Sequence, residues 1–114
     1  MIRYKIVNPN RESIFAYGKY SLEYQKGDII SKIGGTLGIF TFKRYYQAVN
    51  FLNKCYGIRG LILKVKCFGR GKVPLRIAGT PKVYMLNEFY NGTGVTTRVP
   101  PLGTICYDKI EVLE

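Results

Sequence analysis

Apolar and polar residues alternate at period two along Ile2-Arg-Tyr-Lys-Ile-Val7, which predicts a strand with one buried face. Asn8-Pro-Asn10 ends it with turn chemistry. Two short strands follow at Ser13 to Tyr17 and Tyr20 to Tyr24, joined by a two-residue turn at Gly18-Lys19. Gln25-Lys-Gly-Asp28 reads as another turn, Ile29 to Ile33 as a strand closed by Gly34-Gly35, and Leu37 to Phe40 as a short buried strand.

The period then changes. From Thr41 the apolar positions are Phe42, Tyr45, Ala48, Val49 and Leu52, spaced by three and four, with Lys43, Gln47, Asn50 and Lys54 on the opposite stripe. This predicts one amphipathic helix from Thr41 to about Lys54, with Thr41 as N-cap and Gly57 as terminator. Lys43 and Arg44 then fall in its first turn, where the helix dipole disfavours positive charge. Gly60 to Phe68 is the clearest strand, with Leu61, Leu63, Val65 and Cys67 facing one way and Ile62, Lys64, Lys66 and Phe68 the other. Gly69-Arg-Gly-Lys72 reads as a hairpin turn, Val73 to Ile77 as a returning edge strand, and Met85 to Tyr90 as one or two helical turns. Asn91 to Gly94 and Pro100-Pro101 bracket a loop, and Thr104 to Leu113 forms the last strand. The expected fold is a single α+β domain over residues 1–114, a small mixed, largely antiparallel sheet with the helix packed on it.

Composition fits that picture: 46% of the 114 residues are hydrophobic and 14% aromatic, enough apolar surface for a folded core. No apolar h-region follows Met1-Ile-Arg-Tyr-Lys, and no apolar run approaches the roughly 20 residues that span a bilayer. The expectation is an intracellular, cytoplasmic protein without membrane contact. Charge sharpens the reading, because the net +11 is not spread evenly. Between Asp28 and Glu88 there is no acidic residue, while Lys32, Lys43, Arg44, Lys54, Arg59, Lys64, Lys66, Arg70, Lys72, Arg76 and Lys82 all fall there. Concentrated positive charge repels itself in a compact body. A polyanionic partner, above all nucleic acid, would offset that repulsion by counterion release; solubility is the alternative purpose.

The chemistry of catalysis finds little support. There is no histidine, the three cysteines Cys55, Cys67 and Cys106 have no metal-ligand or disulfide spacing, and no pair of carboxylates is brought together locally. Neither a metal nor a cofactor is expected. Gly69-Arg-Gly-Lys72 fails as a P-loop because Val73-Pro74 follows where a helix must start, and it fails equally as a dinucleotide fingerprint. Gly34-Gly-Thr-Leu-Gly38 fails in the same way. Aromatic residues interleaved with basic ones are the composition of single-strand binders, although Tyr4, Tyr17, Tyr20, Tyr24, Tyr45 and Tyr46 equally suit core or cross-strand positions.

The string Tyr24-x-x-Gly27-Asp-Ile-Ile30, Gly35-Thr-Leu-Gly-Ile-Phe-x-Phe42, Gly69-Arg-Gly-Lys-x-Pro74 and Pro100-Pro-x-Gly-Thr-Ile-Cys-Tyr107 resembles a family of short uncharacterised basic proteins of prokaryotic viruses and mobile elements. That resemblance implies an origin and carries no catalytic residues. A fainter likeness, through Tyr4-Lys-Ile-Val7 and Gly27-Asp-Ile-Ile30, is to ADP-ribosyltransferase-like folds; the catalytic motif is missing, since Glu88, Glu111 and Glu114 lack its context. The expectation is a non-enzymatic accessory protein that binds nucleic acid through Lys43, Arg44, Arg59, Lys64, Lys66, Arg70, Lys72 and Arg76, without strong sequence preference. The alternative is a protein-binding module, a viral host-factor inhibitor or assembly component, whose basic face meets an acidic partner.

Overall fold

The computed structural model describes residues 1–13, 21–34, 38–54, 59–74, 77–78, 97–98 and 100–114. The elements are β1 (Ile2–Val7), β2 (Ile29–Ser31), β3 (Ile39–Phe42), α1 (Tyr45–Lys54), β4 (Leu61–Phe68), β5 (Ile77–Ala78), β6 (Thr97–Arg98), β7 (Thr104–Tyr107) and β8 (Lys109–Val112). One helix packs on a six-stranded sheet of order β2-β8-β4-β1-β3-β7, antiparallel at every pairing, and β5 pairs with β6 apart from it. The turn at Gly18-Lys19, the terminator Gly57, the helical turns at 85–90 and the loop at 91–94 lie outside the described residues.

The longest pairing joins β1 to β4, from Ile2 opposite Lys66 to Val7 opposite Leu61. Period-two geometry then sorts both strands. Leu63, Val65 and Cys67 of β4 and Val7 of β1 enter one core with Ile30, Ile39, Tyr107, Ile110, Val112 and the loop residue Tyr24. Ile62 and Ile6 face the other way and meet Phe42, Ala48, Phe51 and Leu52 beneath the helix. Fully burying an aliphatic side chain such as Val65 or Ile110 stabilises the fold by roughly 1.5–3 kcal/mol. Because the Lys5 to Val7 end of β1 is covered on both faces, the simple expectation of apolar inside and basic outside fails there. Lys5 points with Val7 into the core and is only 8% exposed.

The predicted last strand is two strands. It bends at Asp108, so β7 pairs with β3 while β8 pairs with β4 and β2. β7 stands last in the sheet order and β8 second, yet one residue joins them, and the sheet must curl to allow it. The curl is closed on the far side of β7, where the Lys72 N–H donates to the Cys106 carbonyl at 2.9 Å and the Cys106 N–H to the Lys72 carbonyl at 2.8 Å. The segment that leaves β4 thus reaches the edge strand β7 through a single bridge. This corrects the hairpin expected at Gly69 to Lys72: both edges of β4 are already taken by β1 and β8, so the chain cannot fold back beside it. Gly71 makes the crossing close, since a Cβ there would lie 2.5 Å from the Ile105 Cδ1 and 2.9 Å from the Tyr107 Cζ.

The helix begins at Tyr45, four residues later than the sequence pattern predicts. Thr41 is a strand residue, fully buried, whose hydroxyl donates to the Ile105 carbonyl at 2.8 Å and is lost to capping. Arg44 takes the N-cap position in its place: the Ala48 N–H donates to its carbonyl, and its own N–H donates to Gln47 Oε1 at 3.0 Å, one half of a capping box. Gly103 leaves room for that Gln47 side chain, which an added Cβ would overlap. Its carbonyl also accepts from the Lys43 N–H at 2.9 Å.

Candidate nucleic-acid interface

Register decides which basic residues share a surface. Lys64 and Lys66 lie on the outward side of β4, the side on which Ile62 meets the helix. Across the pairing they oppose Tyr4 and Ile2 of β1. The Tyr4 ring in turn meets Tyr45, the first residue of α1, edge to face with centroids 5.6 Å apart. Lys43 and Arg44 immediately precede Tyr45 and are exposed. The start of the helix, where Lys43 and Arg44 are exposed, thus adjoins the outward side of β1 and β4 that carries Lys64 and Lys66. At its far end Phe68 sits partly buried, with the Lys66 ammonium 5.6 Å from its ring centroid, a cation–π contact.

The remaining predicted contacts are placed differently. Arg59 is exposed just before β4, at the end of the strand remote from Lys66, and Arg70 is exposed in the turn that leaves β4. Lys72 is committed elsewhere: its Nζ lies 3.8 Å from Asp108 Oδ1, which also receives Lys32 at 3.3 Å. Arg76 lies outside the described residues. Among the described residues Asp108 makes the only ion pairs, so Lys43, Arg44, Lys64 and Lys66 are not neutralised by contact. Glu111 of β8 stands opposite Lys66 in the register without closing a pair within 4.0 Å.

The tyrosines divide. Tyr24 is a core residue, 1% exposed, and burial pushes its phenol up to about 12. Tyr45 and Tyr46 are each 56% exposed, too open for core positions. Sequence spacing assigned Tyr45 to the buried helix stripe; its place at the helix start, beyond the sheet it would cover, leaves it at the rim.

Inside the core the chemistry is quiet. Burial lowers the Lys5 amine to about 8, with Cys106 offsetting part of the effect, and its ammonium lies 5.3 Å from the Tyr24 ring centroid. Burial raises the Cys67 thiol to about 11 and the Cys106 thiol to about 12, so both are protonated and poorly nucleophilic at neutral pH. Among the described residues no group of three or more Cys, Asp or Glu could hold a metal ion, and no helix is long and apolar enough to cross a membrane. No family model, curated protein or solved structure matches the chain.

Proposed function

We propose that this protein is a non-enzymatic accessory factor that binds nucleic acid, without strong sequence preference, through the outward side of β1 and β4 and the start of α1. One observation carries the reading: Lys64 and Lys66 project from a central strand beside Tyr4, whose ring meets the helix start that Lys43 and Arg44 precede, and among the described residues no acidic side chain pairs with any of the four. Such a surface attracts phosphate by charge and offers no array of fixed donors for reading base edges. The resemblance to short basic proteins of prokaryotic viruses and mobile elements extends the reading to a factor acting in a host cytoplasm. The competing reading, an acidic protein partner, draws on the exposed Ile2 beside Lys66.

The test is binding of mixed-sequence oligonucleotides across a salt series. Affinity is expected to fall linearly in log–log form, by about 0.7 per contacted phosphate for single strands and about 0.9 for duplex. The double charge reversal K64E/K66E removes most of the binding, whereas K26E, in the exposed 25–28 turn, changes it little. Absence of binding at low salt overturns the reading, and capture of a partner that persists after nuclease treatment favours the protein alternative.

A further inference from the structure

The geometry of the same surface points to single-stranded nucleic acid as its ligand, held by a base stacked on Tyr45 and by successive phosphates at Lys64 and Lys66. This rests on the nucleic-acid reading above and narrows it. Three observations combine. First, Tyr45 is 56% exposed while its ring is propped by Tyr4 at an interplanar angle of 73°, so the ring is held in place yet open to a flat partner. An exposed tyrosine with no such support would lose rotamer freedom on stacking, and here part of that loss is already met by the fold. Second, Lys64 stands directly opposite Tyr4 in the β1–β4 register, beside the ring that props Tyr45. Lys66 follows two residues along the same side of β4, about 6.8 Å away by strand rise. That matches the step between successive phosphates of an extended single strand, and the second ammonium lies 5.6 Å from the Phe68 ring centroid. Third, the surface is the outside of a curled sheet, and the element beside it, α1, lies packed along that sheet through Ala48, Phe51 and Leu52. No described helix stands proud of the body to enter a major groove, which is how helix-bearing duplex readers gain their contacts. Every base has a face to stack, so an aromatic platform between lysines tolerates sequence, as the wider reading requires.

Tyr46 provides the internal control. It is equally exposed, but one residue further round the helix it turns away from the Ala48–Phe51–Leu52 stripe toward solvent. The experiment compares oligo-dT, oligo-U and a duplex of equal length by anisotropy at low salt, with wild type, Y45A, Y45F, Y46A and K64E/K66E. The chain contains no tryptophan, so Y45W adds a single indole as a second readout. Single strands are expected to bind tighter than duplex. Y45A is expected to weaken them roughly 5- to 150-fold, the range for losing one stacked base. Y45F and Y46A stay near wild type, and the Y45W emission is quenched by single strands. The oligo-dT and oligo-U arms tell whether DNA or RNA is preferred. Equal or tighter duplex binding, or unchanged single-strand binding by Y45A together with an unquenched Y45W, overturns the stacking inference while leaving salt-dependent binding intact. Loss of all binding in the wild type overturns the wider reading instead.

Discussion

Lys5 carries the strongest physical tension in the molecule. Its amine is lowered from 10.5 to about 8 by burial, and the nearby Tyr24 ring returns part of the lost solvation as a cation–π contact. The folded-state value lies below the unfolded one, so between about pH 8 and 10.5 the unfolded chain binds the extra proton and folding gains as pH rises. Below pH 8 the penalty is complete, at about 3 kcal/mol for a shift of this size. Replacing Lys5 by Met is therefore expected to stabilise the protein at pH 7 by about 1–3 kcal/mol after loss of the ring contact, measured as the difference between variant and wild type in denaturant unfolding. That advantage shrinks at pH 10; an advantage equal at both values would mean that the ammonium is not desolvated. Nothing in the sequence marks Lys5 apart from Lys64 or Lys66, because all three sit at polar positions of an alternating strand. Alternation says that two faces differ, and it leaves open that both faces are covered, as they are from Lys5 to Val7 of β1 and not for the part of β4 beyond the helix.

Elements whose limits depend on local chemistry were largely legible, and those whose limits depend on distant partners were not. The side assignment along β4 agrees with the pattern from Leu63 onward, because Leu63, Val65 and Cys67 make an unbroken core stripe, while Leu61, expected on the same face, is exposed at the strand's start. The helix face agrees in part: Ala48 and Leu52 pack on the sheet as their spacing predicts, whereas Phe42 belongs to β3, Tyr45 is exposed, and Phe51 joins the contact without having been assigned to the stripe. The helix start does not agree: Thr41 has the chemistry of an N-cap, but pairing with Ile105 of β7 captures the residue for the sheet, and β7 lies more than sixty residues away in the chain. Arg44 has no side-chain acceptor to cap with, so Gln47 reaching back to its N–H does that work at close quarters with Gly103. Substituting Gly103 by Ala is expected to destabilise by about 1–3 kcal/mol, since φ there is +88° and the new methyl displaces Gln47. Loss of helical signal on heating should precede loss of tyrosine near-ultraviolet dichroism in this variant; a Gly103→Ala protein as stable as wild type would show that the cap is dispensable. The basic stripe of the interface was legible as Lys64 and Lys66, whereas the meeting of Tyr4 with Tyr45 needed the packing of the helix on the sheet and had no local signature.

At the scale of the whole molecule, the bend at Asp108 and the crossing at Gly71 do the same job from two sides, bringing β7 against the chain that leaves β4. Local sequence gives no warning of either, because Asp108 is neither glycine nor proline and Gly69-Arg-Gly-Lys72 has the composition of an ordinary hairpin turn. Gly71→Val drives a branched side chain into Ile105 and Tyr107 and is expected to cost about 1–3 kcal/mol. Hydrogen exchange should then accelerate at the Lys72 and Cys106 amides, which hold the seam, more than at β1 and β4; uniform acceleration would place the seam's contribution elsewhere. The same connectivity governs the order of assembly. Residues 104–112 supply partners to β2, β3 and β4 at once, and β1 waits for a strand that begins at Leu61. Almost no sheet contact can form between neighbours in the chain, so loop closure precedes nearly every gain and folding belongs to the millisecond-to-second class of non-local topologies. Until residues 104–112 arrive, β3 and β4 each have an unpaired edge, and that is the interval in which the chain is open to adhesion with its own kind.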